Sequence, residues 1–173
     1  MNLACTIEIA LPCTDWTRLC PAAESLARGA AALALARGRK DLGLTWQSTV
    51  ELGITLTDAA GQRQLNRDYR GQDKSTNVLA FPVWEAGTRL PPGAPVLLGD
   101  VVLALETVTQ EAADQEKPLP DHLVHLTVHG VLHLLGYDHL TPAEAATMES
   151  LERSILAELG VPDPYHEPAE VQP

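Results

Sequence analysis

The sequence predicts a single domain of about four strands packed with five helices, and three observations carry that prediction. Its 173 residues, 45% of them apolar, suit one sizeable hydrophobic core. Runs such as Val50-x-Leu52-x-Ile54-x-Leu56 alternate apolar and polar positions, as half-buried strands do. Longer runs, rich in alanine and leucine over 24–37 and in leucine and histidine over 121–135, have the length and period of helices.

Taken in chain order, Leu3, Cys5, Ile7 and Ile9 alternate as a first strand. After Pro21, residues 24–37 form a helix expected to end near Gly38. Positions 50–56 make the second strand, and Asp58 can accept hydrogen bonds at the start of a helix running to about Tyr69. Arg63, Arg67 and Arg70 are spaced by four and three, so they share a face of that helix. A third strand over 76–84 contains Pro82, which lacks a ladder donor and favours a sheet edge or strand end. The Gly- and Pro-rich stretch 85–95 reads as a surface loop near the site. A fourth strand covers 97–105 and a short helix 106–117, after which Pro120 opens the helix over 121–135. Thr141-Pro142-Ala143-Glu144 is a capping box with proline at the first helical position, starting a last helix that runs to Leu159 before Gly160. Its acids are expected to solvate its outer face. Residues 1–160 are thus read as the domain, and the Pro- and acid-rich residues 161–173 as a poorly ordered tail.

Composition excludes several classes. The formal charge of −11 argues against a general nucleic-acid coat protein, yet the bases among residues 61–74 could guide a phosphate chain into one cleft. Cys5, Cys13 and Cys20 are odd in number and crowded near the start, which suggests neither a disulfide framework nor a zinc knuckle. No secretory signal and no apolar run of membrane-spanning length is apparent, so a cytoplasmic protein with no membrane partner is expected.

The chemistry lies in HGVLHLLGYDH at 129–139. Residues four apart on a helix stand one above the other, so His129 and His133 can point two imidazoles at one ion. Gly136 can adopt the left-handed conformation that closes a helix, letting the chain return His139 from outside it. Three neutral imidazoles suit Zn2+, one per chain, and such sites keep a fourth position for a water whose pKa falls near 7. The competing possibility is a closed structural site with Asp138 or another carboxylate as fourth ligand. His122, His125, His129 and His133 fall within one stripe roughly 80° wide on an otherwise apolar helix, which then lines a cleft floor. His125 is read as an orienting or core histidine, and Asp138 as orienting a histidine or capping the turn. Gly130, inside the helix, implies close approach of another backbone or of substrate.

The His-x-x-x-His-x-x-Gly-x-x-His spacing is shared with metzincin proteases, but their general base directly follows the first histidine, where this chain has Gly130. The chain also resembles the YbeY-type endoribonucleases, bacterial rRNA maturation factors. That resemblance rests on HGVLHLLGYDH, on LNRDYRGQDKSTNVLAFP at 65–82 and on LLGDVVLA at 97–104, with little from the first forty residues or the tail. It implies an α+β fold with a small mixed sheet, and a zinc-dependent enzyme cutting single-stranded RNA in small-subunit rRNA 3′-end processing and ribosome quality control. Its implied partners are rRNA and ribosomal particles, not DNA. It also carries the ligand role onto His129, His133 and His139, and a catalytic role onto Arg70, whose alternative is a surface salt bridge with Asp68 or Asp73. Ser75, Asn77 and Ala80 stand where relatives often show Pro, Asp and Ser, which leaves the loop's conformation open. A zinc peptidase and a non-catalytic ribosome-associated zinc module are the remaining alternatives.

Overall fold

Four strands share one sheet in the computed structural model, which describes residues 4–166. They are β1 (Cys5–Ala10), β2 (Val50–Thr57), β3 (Val78–Pro82) and β4 (Val96–Ala104), in the spatial order β1-β2-β4-β3. The first, second and fourth run parallel, and β3 closes the sheet antiparallel to β4, giving the mixed sheet that the resemblance implied. Pro82 ends the edge strand β3, where its missing N–H costs no ladder bond. Leu3, expected in the first strand, lies outside the described residues, as do residues 167–173.

Among the described residues, six helices complete the fold: α1 (Asp15–Leu19), α2 (Ala23–Asp41), α3 (Ala59–Arg70), α4 (Leu105–Asp114), α5 (Leu119–Leu134) and α6 (Pro142–Glu158). Helix α5 is the centre. It packs against β3 and β4 on one side and is flanked by α2, α4 and α6. That explains why Leu123, Leu126, Val128, Val131 and Leu132 are buried all around it. The opposite face of the sheet is open over Thr6, Glu8, Leu97 and Asp100, all exposed, until α3 covers the far end of β4. There Val101, Val102, Leu103 and Ala104 are buried in succession, as expected of a strand covered on both faces.

Two readings of the sequence are corrected. The helix expected to stop near Gly38 continues to Asp41, and Gly43, at φ +65°, is the left-handed residue beyond it. Gly38 is instead a contact point: a Cβ there would lie 2.5 Å from Leu135 Cδ1, so glycine lets α2 approach α5. Helix α1 was not foreseen, because five residues are too few to show a period. It buries Trp16 completely, with Nε1 donating to the Thr57 carbonyl at 2.8 Å. At the start of the stretch expected as a tail, Val161 packs on the core and Tyr165 is half-buried.

Helix α3 fixes the segment leading into β3. Asp58 accepts from the Gly61 N–H at 2.7 Å, and Gly71, at φ +68°, closes the other end. Gln62 is fully buried, donates to the Val102 carbonyl at 3.0 Å and accepts from Ser75 Oγ and the Thr76 N–H, each at 2.8 Å. Asn77 donates to the Glu111 carboxylate at 3.1 Å. Ser75 and Asn77 are therefore both anchored.

Candidate metal centre

Histidine side chains from one helix and the turn after it converge. His129 and His133 stand one turn apart on α5, and Gly136, at φ +99°, reverses the chain so that His139 returns to them. Asp138 Oδ1 accepts from the His139 N–H at 2.8 Å, which assigns it to the turn. Tyr137 braces the same turn by donating to the Asp41 carboxylate at the end of α2. One nitrogen from each of His129, His133 and His139 lies within 4.8 Å of the others, and Asp138 is not in that converging set.

The donor chemistry fits a divalent cation. His129 Nε2 and His133 Nε2 are 3.1 Å apart, close to the edge of about 3.3 Å that two nitrogens span in a tetrahedral zinc site with bonds of ~2.0–2.1 Å. His133 has its pKa held below the usual histidine value, first by burial and then by the neighbouring His129 and His139, which keeps the ring in the neutral, ligating form. On the far side of His129, Nδ1 donates to Glu152 Oε1 at 2.6 Å. That bond holds the proton on Nδ1 and leaves the Nε2 lone pair for the site.

Glu152 corrects the expectation that the acids of the last helix only meet solvent. It is fully buried on α6, beneath the histidine stripe. Its other oxygen meets His125 Nε2 at 3.3 Å and accepts from the Tyr165 hydroxyl. Burial opposes its charge, but hydrogen bonds from His125 and His129 outweigh that, holding its pKa down to about 2. A signal was present in the sequence: Glu152 sits four after Met148 and three before Ile155, both buried, so it lies on the inward face of α6. His125 thereby takes a place behind the centre and outside the converging set, and His122, buried, meets Glu111 Oε2 at 2.7 Å.

A cleft of about 760 Å³ opens in front of the histidines, between α5, the edge strand β3 and the start of the 85–95 loop. His129, His133 and His139 line it, with Val78, Pro82 and Trp84 on the wall and Arg70 at the side. The three arginines of α3 do not act together. Arg63 forms a two-bond ion pair with Asp73 at 2.7 and 3.0 Å, and Arg67 points to the same carboxylate. Arg70 instead lies over the Phe81 ring, 5.0 Å from its centroid, and donates to the Ala80 carbonyl. Asp73 is thus occupied by others, and Arg70 reaches the cleft.

Gly130 is also explained differently than expected. A Cβ there would lie 2.5 Å from Val101 Cγ1 and 3.1 Å from Cγ2, so the close neighbour is a side chain of β4. A peptidase-type glutamate at this position has no room.

The family model for Endoribonuclease YbeY matches residues 28–160. The chain belongs to the YbeY endoribonuclease family. An Endoribonuclease YbeY of Paramagnetospirillum magneticum is 53% identical over 165 residues, covering 94% of this chain and 98% of the relative. One from Rhodospirillum rubrum is 52% identical over 152 residues, covering 87% and 76%. The likeness to YbeY proteins thus reaches well into the first forty residues, beyond the motifs that first suggested it. The solution structure of a Thermotoga maritima protein shares the fold at a TM-score of 0.56 and 20% identity, covering 97% of this chain and all of that one. Among the described residues, no helix is long and apolar enough to cross a membrane.

Proposed function

We propose that this protein is a zinc-dependent endoribonuclease that cuts single-stranded RNA during rRNA maturation, acting on ribosomal particles in the cytoplasm. The observation that carries the reading is the convergence of His129, His133 and His139 on the cleft that Arg70 also lines, in a member of the YbeY endoribonuclease family. Those three histidines hold the cation, which when bound supplies Lewis-acid polarisation of a phosphoryl oxygen and an activated water at neutral pH. Glu152 keeps the His129 proton on Nδ1, so that Nε2 stays available. Arg70 has five N–H donors and commits one side of its guanidinium to Ala80, leaving the rest of a planar fork for phosphate oxygens and their developing charge. Val78, Pro82 and Trp84 give the cleft an apolar wall beside the histidines.

Size supports an unpaired substrate. The cleft volume is within the range of about 300–1,000 Å³ typical of pockets for single small ligands, which suits one unpaired nucleotide at the histidines. With Gly130 packed on Val101, the peptidase alternative would need a general base supplied from elsewhere in the fold. The test incubates zinc-loaded protein with an end-labelled single-stranded RNA, the same RNA annealed to its complement, and casein, beside His133→Ala. Cleavage of the single strand only, lost at least a hundredfold in His133→Ala, is expected. Equal RNA cleavage by both proteins, or casein turnover without RNA turnover, overturns the reading.

A further inference from the structure

Behind the metal centre, the chain beyond α6 folds back onto it. The backbone N–H of Tyr165 donates to Asp163 Oδ1 at 2.8 Å, forming a tight turn, and Arg153 of α6 pairs with the same Asp163 at 3.2 Å. The Arg153 guanidinium also lies over the Tyr165 ring, 5.3 Å from its centroid. The ring meets His125 edge-on at 5.7 Å, and its hydroxyl donates to Glu152 Oε2. Glu152 Oε1 in turn accepts from His129. A continuous chain of contacts thus runs from the surface turn at 163–165 through a fully buried carboxylate to a converging histidine.

We propose that Tyr165 is a positioning residue for the metal centre: its hydroxyl fixes the Glu152 carboxylate, which fixes the His129 imidazole, so the segment 161–166 sets how tightly the three histidines hold a cation. A buried carboxylate with one oxygen bonded to histidine and the other left without a strong donor would rotate to share its partners. The hydroxyl prevents this, because it donates to Oε2, where His125 Nε2 is the more distant partner at 3.3 Å, and leaves Oε1 for Nδ1 of His129. Arg153 and Asp163 hold the phenol ring, and so act through Tyr165. The assignment rests on reading the three histidines as metal ligands and needs no particular substrate.

The experiment titrates Zn2+ into full-length, metal-stripped protein against a chromophoric chelator, for wild type, Tyr165→Phe, Glu152→Gln and the double variant. Co2+ absorption spectra and metal-free melting curves are recorded in parallel. Groups behind a metal ligand typically account for about 10–100-fold in affinity. Tyr165→Phe is expected to lose about tenfold in affinity and to alter the Co2+ spectrum, while the metal-free melting curve reports separately the stability lost with the hydrogen bond to the buried carboxylate. In the Glu152→Gln background the same substitution is expected to change affinity less than twofold, because the relay is already broken. Affinity within twofold of wild type in Tyr165→Phe overturns the proposal, as does full additivity in the double variant. If Tyr165→Phe fails to fold, Arg153→Ala carries the test: a loss of at least threefold supports the relay and unchanged affinity overturns it. Because affinity is read without RNA, failure of the nuclease reading shows separately, as wild-type protein that binds Zn2+ normally and cleaves nothing.

Discussion

Replacing Gly130 with alanine sets two effects of known size against each other at the contact that seats the histidine helix. Removing glycine from a helix interior gains about 1 kcal/mol from propensity. The new methyl, however, would stand 2.5 Å from Val101 Cγ1 and 3.1 Å from Cγ2. Val101 is completely buried on β4, which has a hydrogen-bonded strand on either side, and a β-branched side chain has few rotamers to retreat into. Overpacking of this kind costs about 1–3 kcal/mol. With both methyls in the way the upper part of that range applies, leaving a net destabilisation of about 1–2 kcal/mol after the propensity gain. For a domain of this size that lowers the melting temperature by about 2–8 °C.

Urea denaturation of metal-free protein measures the effect directly. Val101→Ala/Gly130→Ala supplies the internal control: with the valine methyls gone, the Gly130→Ala step is expected to become neutral or stabilising by up to about 1 kcal/mol. Since α5 must move off the sheet to admit the methyl, Zn2+ affinity should fall in the single variant and recover in the double. A Gly130→Ala protein more stable than wild type would refute the packing explanation for the glycine.

Two further outcomes follow from the geometry. Arg70→Gln is expected to keep stoichiometric Zn2+, because Arg70 touches none of the histidines, while losing RNA cleavage by about 10²–10³-fold, the cost of removing one transition-state donor; retained cleavage excludes Arg70 from the reaction. Burial holds the pKa of His122 below its ordinary 6.5, with Glu111 only partly offsetting it, and His133 is lowered likewise. On acidification the unfolded chain therefore takes up protons before the folded one. This contribution to stability is complete above about pH 6.5 and declines below it, by at most about 1.4 kcal/mol per pH unit for each histidine. Melting curves of metal-free protein between pH 7.5 and 5.5 should show this decline, and His122→Gln should flatten it. A slope unchanged in that variant would show that His122 does not contribute.

The sequence alone determined whatever depends on residues close along the chain. Strand alternation over 50–56, the Asp58 cap, the capping box at Thr141 and the left-handed Gly136 are local devices, and each stands where it was expected. The convergence of the three histidines was legible for the same reason, since four residues make one helical turn and a glycine makes the return. Tertiary structure alone decided everything that depends on which surfaces meet. Gly38 resembles a helix stop until α5 is placed against it, and Gly130 resembles a gap for substrate until Val101 is seen to fill it. The three arginines of α3 are equivalent by spacing, yet Asp73 takes two of them and Phe81 draws the third to the cleft. Glu152 shows the difference most clearly. In the sequence it is one acid among several on a polar helix, but α6 packs beneath α5 and turns it inward, where hydrogen bonds from His125, His129 and Tyr165 offset the cost of burying its charge.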